Sequence, residues 1–317
     1  MVSRYHEGMS KHAPMCGGTA AAAVWCAHVG APYYKGPWAV WAAHHAPQLL
    51  QRPKLDVEIA FSIGLELEPM LARRMQAELA PQGLTLHRTD DPNALGVLLA
   101  PPDMPWACGH ADGLIYDGSG WPVAVQELKT SRQGREWWTD DGQPCVPPGY
   151  EVQALFYLYL AREIWPSDPP DRIEFIVLDL MGCSTMRRTI NWDSDKQATC
   201  AAMIPHVQQW WQRHILDGQE PPADSSELCQ AWYLSQLPKA KPALEGGEIE
   251  QEAALAYLAA RDEGDAADKA KTRARGALLQ ILRGHDTDRI SFETGPVKSV
   301  SISASGSLLV QRRKAKP

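Results

Sequence analysis

Glu127 and Lys129 stand two positions apart in VAVQELKTSR (residues 123–132), a stretch that otherwise reads as a buried β-strand. Strand side chains alternate faces, so this acid and base share one face while Gln126 and Leu128 take the other. One reading of such an E-x-K pair is an ordinary cross-strand salt bridge. A chemical reading needs company, and three other stretches supply it. ACGHADGLIYD (107–117) carries Asp112, which lies across a hairpin from the E-x-K run and adds a second carboxylate to the same wall if the register permits. GLELE (64–68) brings Gly64 and Glu68, and YEVQALFY (150–157) brings Gln153 and Tyr157. Two carboxylates and a lysine on one wall suit a hard divalent cation such as Mg²⁺, with oxygen ligands at about 2.0–2.1 Å and room for waters and a phosphate oxygen. Phosphodiester hydrolysis needs a nucleophile, neutralisation of transition-state charge and help for the leaving oxygen. Two metals about 3.5–4 Å apart supply all three. Beside such a cation, the Lys129 pKa is expected to be lowered, which suits it to accept a proton at alkaline pH. The residues leave open whether Lys129 is the base or only positions water.

The pattern of elements around these residues predicts an α/β or α+β core. The first hundred residues read as helical, including LDVEIAFSIGLELEPMLARRMQAEL (55–79), where Pro69 is expected to start or kink a helix. From Trp106 two extended runs flank Asp117-Gly118-Ser119-Gly120, a hairpin signal. YEVQALFYLYLAREIW (150–165) reads as a mostly buried helix, RIEFIVLDL (172–180) and MRRTINW (186–192) as strands, and AAMIPHVQQWWQRHIL (201–216) as an amphipathic helix. Proline and glycine cluster at 217–227 and 237–247. The expected organisation is a core over residues 1–222, a linker region over 223–247 and an extension over 248–317. In that extension, two helices, with Gly264-Asp265 ending one and capping the next, precede a β-type tail.

Composition narrows the class. At 317 residues and 44% hydrophobic content the chain buries a substantial core. No run approaches the roughly 18 to 20 apolar residues of a membrane helix, and the start lacks a signal-peptide pattern, so a cytoplasmic protein without membrane contact is expected. Seven scattered cysteines, none in a C-x-x-C arrangement, read as buried thiols. The net charge of −7 argues against coating nucleic acid by bulk attraction but leaves room for a local basic groove.

The order G-x-x-x-E, D-G-L, E-L-K, Q-x-x-x-Y resembles the nuclease core of the restriction-enzyme-like superfamily, in particular the YqaJ-like viral recombinase and lambda exonuclease family. GGTAAAAVWCAHVGAPYYKGPWAVW (17–41) and VQQWWQRHILDGQEPP (207–222) are similar to that family's opening segment and closing helix, so the resemblance spans about residues 15–222. It implies a restriction-endonuclease-like fold, a central mixed sheet flanked by helices, with a C-terminal helical and β-hairpin extension. It implies Asp112 and Glu127 as metal ligands, Leu128 as a ligand through its carbonyl, Lys129 as the residue that orients or activates water, and Glu68 as a helix-borne carboxylate that binds a second metal or hydrogen-bonds metal-bound water. Gln153 would brace the site or touch the DNA backbone. Tyr157 reads equally as a packing residue.

One departure from the family pattern is His110, where lambda exonuclease has a small hydroxyl residue; Glu66 reads as a solvated neighbour of Glu68. The implied activity is a Mg²⁺-dependent (or Mn²⁺-dependent) 5′-to-3′ exonuclease on double-stranded DNA ends that releases mononucleotides. The implied setting is a phage or prophage protein in a bacterial host, a ring-shaped homotrimer working with a single-strand annealing protein. Iron–sulfur relatives carry a cysteine cluster that this chain lacks, so no iron–sulfur centre is expected. The alternatives are a structure-specific or restriction-type endonuclease and a non-catalytic DNA-binding protein. Arg132, Arg135 and the pair Trp137-Trp138 in the loop after the strand, and the basic QRRKAKP terminus, are the remaining candidates for DNA contact.

Overall fold

The computed structural model describes residues 14–50, 55–89, 96–132, 138–140, 143–224, 226–237, 244–262, 268–285, 287–292, 296–303 and 307–312. In chain order the elements are α1 (Gly18–Val29), α2 (Pro37–His45), α3 (Leu55–Leu79), β1 (Thr85–His87), β2 (Val97–Leu99), β3 (Gly109–Ala111), β4 (Gly113–Tyr116), β5 (Pro122–Ser131), β6 (Thr139–Asp140), β7 (Gln143–Pro144), α4 (Pro148–Ile164), β8 (Arg172–Asp179) and β9 (Ser184–Asn191). There follow α5 (Ser194–Trp211), α6 (Glu227–Gln236), β10 (Leu244–Glu245), α7 (Glu248–Asp262), α8 (Asp268–Gly284), β11 (Arg289–Ser291), β12 (Val297–Ile302) and β13 (Leu308–Arg312). Among the described residues no helix is long and apolar enough to cross a membrane.

Two compact units emerge. The described residues of Met1–Lys35 and Arg52–Gly218 form one, and those of Gly36–Gln51 and Gln219–Pro317 the other. The first is built on a mixed five-stranded sheet of order β1-β4-β5-β8-β9. Its centre is a β-α-β unit: β5 and β8 pair in parallel from Ala124↔Arg172 to Ser131↔Asp179, and α4 makes the crossover. Helices cover both faces. That explains why β8 reads as an almost continuous apolar run rather than an alternating one. α3 covers the face of Ala124, Leu128 and Ile176 with Leu71, Met75 and Leu79. α4 packs over the face that carries Glu127 and Lys129, with α1 and α5 behind it.

The hairpin between β4 and β5 closes on Asp117, whose Oδ1 accepts from the Ser119 amide at 2.9 Å and the Trp121 amide at 3.1 Å. Gly120 supplies the positive φ of 83° that the turn requires. α3 runs unbroken through Pro69 and does not start there. That residue is exposed, so solvent can take up the carbonyl its ring leaves unserved. α5 begins earlier than its apolar spacing suggested, because Asp193 caps it by accepting from the Lys196 amide at 2.9 Å. It ends in a π-helical turn over Gln212–Leu216. Residues 85–87 and 97–99 are short strands inside a region that reads as helical in sequence. Cys183, at φ 46° in the turn between β8 and β9, is exposed and so departs from the buried-thiol expectation.

The second unit carries a sheet of order β10-β11-β12-β13 and the helices α2, α6, α7 and α8. Leu258, Leu278, Leu279, Leu282, Ile290, Phe292 and Val300 are buried in it. α6 lies within residues 223–247, the stretch that reads as linker, and buries Cys229 and Tyr233. Gly264-Asp265, Arg135, Trp137 and most of the terminal QRRKAKP lie outside the described residues.

Candidate active site

The parallel register sets Glu127 beside Phe175 and Lys129 beside Val177, in the C-terminal half of β5. Asp112 sits at the bend between β3 and β4, two short strands that belong to different sheets. β4 leaves β5 after the pair Gly113↔Gln126, which brings the Asp112 carboxylate to the strand just where its ladder ends. There Asp112 Oδ2 accepts a hydrogen bond of 2.6 Å from the Leu128 amide. The same oxygen is 3.6 Å from Lys129 Nζ, and Glu127 Oε2 is 2.5 Å from that ammonium. Asp112, Glu127 and Lys129 therefore form one cluster, with Lys129 between the two carboxylates.

The two oxygens of Glu127 have different fates. The residue is 1% exposed, Oε2 is held by Lys129, and Oε1 is buried with no hydrogen-bond partner. A bare carboxylate oxygen in that setting costs free energy. Burial pushes the Glu127 carboxyl up to about 8, against the pull of the Lys129 ammonium. For Lys129 burial pulls down, but Glu127 and Asp112 outweigh it and hold the ammonium above its usual range.

Glu68 stands on α3, the helix that covers the other face of β5. Gly64, one turn before it, faces the strand: a Cβ there would lie 3.4 Å from Thr130 Oγ1, at van der Waals contact. Glu68 Oε2 pairs with Arg88 Nη2 at 3.2 Å, and Arg88 Nε donates to the Asp112 carbonyl at 3.1 Å. Burial and the Asp112 charge raise the Glu68 pKa, and Arg88 offsets them. Sequence reasoning missed Arg88. It follows β1, and the pairing of β1 with β4 (His87↔Leu114) is what carries it to Asp112. Glu66 is exposed.

On α4, Gln153 Nε2 donates to the Tyr157 hydroxyl at 3.1 Å. Tyr157 is nearly buried, and burial together with the Glu127 charge raises its pKa. A Cβ at Gly18 would fall 2.4 Å, and one at Gly109 2.6 Å, from the Tyr157 ring. These two glycines leave the space that the ring fills, which gives Tyr157 a packing role beside Gln153. His110 pairs with Leu98 across β2 and β3, and burial lowers its pKa. Arg132 is exposed just past the end of β5.

The donor set suits a hard cation: two carboxylates converge on one strand, and one carries a buried oxygen in need of a partner. Among the described residues no three His, Cys, Asp or Glu side chains stand together as a ready metal cage. Mg²⁺ does not require one, since it is commonly bound through one or two carboxylates and keeps several waters.

The fold that positions this site is mixed α/β, with a five-stranded central sheet flanked by helices. No protein-family model and no curated protein matches the chain. Among solved structures it is similar to an alkaline exonuclease, LHK-Exo from Laribacter hongkongensis, at 17% identity and a TM-score of 0.42, over 63% of this chain and 87% of that one. LHK-Exo in complex with dAMP is similar at 15% identity and a TM-score of 0.40, over 64% and 94% of the two chains. At such identity, any role for Asp112, Glu127 and Lys129 has to be argued from this chain's own geometry.

Proposed function

We propose that this chain is a metal-dependent deoxyribonuclease, a Mg²⁺-dependent 5′-to-3′ exonuclease on double-stranded DNA ends that releases mononucleotides. The observation that carries the reading is the Asp112–Lys129–Glu127 cluster with its unpartnered, buried Glu127 Oε1. Asp112, Glu127 and the Leu128 carbonyl would hold Mg²⁺, with Glu68 contributing from α3. The cation, when bound, neutralises charge on the reacting phosphate and makes a water acidic enough to attack. Lys129 would orient a water beside the phosphate and counter the charge of the phosphate. Gln153, fixed by Tyr157 beneath it, braces the wall that the substrate backbone meets. Strand polarity, a homotrimer around the duplex, a partner annealing protein and a cytoplasmic phage setting belong to the same reading and rest on the motif order alone.

Linear duplexes labelled at either end, with and without a 5′ phosphate, test it in Mg²⁺ and in chelator. The expected result is mononucleotide release from 5′ ends in Mg²⁺ and none in chelator. Cleavage of a covalently closed circle, or digestion unaffected by chelator, would overturn it.

A further inference from the structure

Around the Lys129 ammonium stand the carboxylates of Glu127 and Asp112 and the Tyr150 ring, whose centroid lies 5.7 Å from Nζ. That is within the range in which an aromatic face attracts a cation. Tyr150 opens α4, and its own place is fixed from behind. Trp138 stacks on it at 5.7 Å between centroids and 12° between planes. Trp138 is 1% exposed, and its carbonyl accepts from Arg188 at 3.2 Å (Nε) and 2.9 Å (Nη2). A chain of contacts thus runs from Arg188 on β9, by hydrogen bonds to the Trp138 carbonyl, through the stacked Trp138 and Tyr150 rings to the lysine.

We infer that Tyr150 is a positioning residue for Lys129, holding the ammonium by the face of its ring when the two carboxylates turn to other duties. The inference rests on the nuclease reading for its consequence in turnover, and on geometry alone for the contact. A carboxylate that binds a cation gives up part of its hold on a neighbouring ammonium, because the two positive charges compete for the same oxygens. A neutral ring has no such competitor and keeps its place. Trp138 makes the ring a rigid support, since a stacked and buried indole leaves Tyr150 no room to swing away.

The contact is tested by NMR on protein labelled at lysine ¹³Cε, with the Lys129 signal assigned from its loss in Lys129→Arg. The Lys129 Hε resonance should be shifted upfield by the ring in the wild type, stay shifted in Tyr150→Phe and return to the ordinary lysine position in Tyr150→Leu. In turnover, Tyr150→Leu should lower kcat about tenfold with little change in KM, while Tyr150→Phe restores it. In a Lys129→Ala background, Tyr150→Leu should have no further effect. An unshifted wild-type resonance overturns the inference. So does a Tyr150→Leu variant that raises KM at constant kcat, which would place Tyr150 on the substrate. A shifted resonance in a wild-type protein that cleaves no DNA supports the contact and overturns the nuclease reading instead.

Discussion

Two buried glutamates on neighbouring strands of one sheet, Glu127 on β5 and Glu174 on β8, have opposite surroundings. Each has a cation two residues away on its own strand, Lys129 in one case and Arg172 in the other. Both oxygens of Glu174 are served. Oε1 accepts from Arg172 Nε at 3.0 Å, and Oε2 accepts from Thr189 Oγ1 at 3.0 Å and Arg187 Nη2 at 3.4 Å. Glu127 has one oxygen served and one bare, and its cation is shared with Asp112. Glu174 shows a strand ion pair in this protein with both carboxylate oxygens satisfied, although its cations are shared in turn, Arg172 with Asp171 and Arg187 with Glu78. On the function proposed above, the bare oxygen of Glu127 is the one left for a ligand, and it is satisfaction of the carboxylate rather than spacing in which the two E-x-K-type pairs differ.

The comparison can be broken most sharply at the carboxylates. Glu127→Gln and Asp112→Asn should each lower Mg²⁺-dependent cleavage at least about a thousandfold, while Glu174→Gln leaves the rate of folded protein near wild type. Equal losses from all three would abolish the distinction. Next in size, Lys129→Ala should cut turnover about a hundredfold while duplex binding, read by fluorescence anisotropy in Ca²⁺, is retained. Unchanged turnover would remove Lys129 from the mechanism.

Stability should run the other way. Glu174→Gln weakens the hydrogen bonds of Arg172, Arg187 and Thr189 and is expected to cost about 1–3 kcal/mol by urea denaturation, whereas Glu127→Gln replaces a carboxyl that burial pushes up to about 8 by a neutral amide and should change the midpoint less at pH 7. The smallest effect concerns pH. The Glu127 carboxyl lies near 8, above the ordinary carboxylate range, so the stability it contributes is present below that range and is lost as pH rises through 8. A cation that binds this group must displace its proton. The rise in Tm on adding Mg²⁺ should therefore be larger at pH 9 than at pH 6, and Glu127→Gln should flatten the difference. A Mg²⁺ effect independent of pH would separate Glu127 from the metal.

Where local pattern decides, the chain is readable. The Asp-Gly-Ser-Gly turn, the alternation on β5, the apolar run of β8 and the aromatic spacing of α4 each follow from a periodicity confined to one element. Their meeting at Asp112 follows from hairpin register. What resists reading depends on contacts between distant segments. β1 and β2 are three residues each, too short to impose a period of two, so Arg88 was hidden with them. α6 lies between stretches rich in proline and glycine, and packing of Cys229 and Tyr233 makes it a helix despite them. The stack of Trp138 on Tyr150 joins a loop to a helix start, and no spacing announces it. Glu68 is the intermediate case: its distance from Gly64 is visible, but its pairing with Arg88 is not.

The close fit of the Tyr157 ring between Gly18 and Gly109 bears on how small a working fragment could be. α1 contributes none of the acids, bases or ligands proposed for the site, and a deletion series guided by the proposed chemistry alone would discard it. Yet Gly18 is one jaw of the vice on Tyr157, which fixes Gln153. A fragment beginning at α3 would keep every charged group of the site and lose part of the wall that holds Tyr157 and, through it, Gln153.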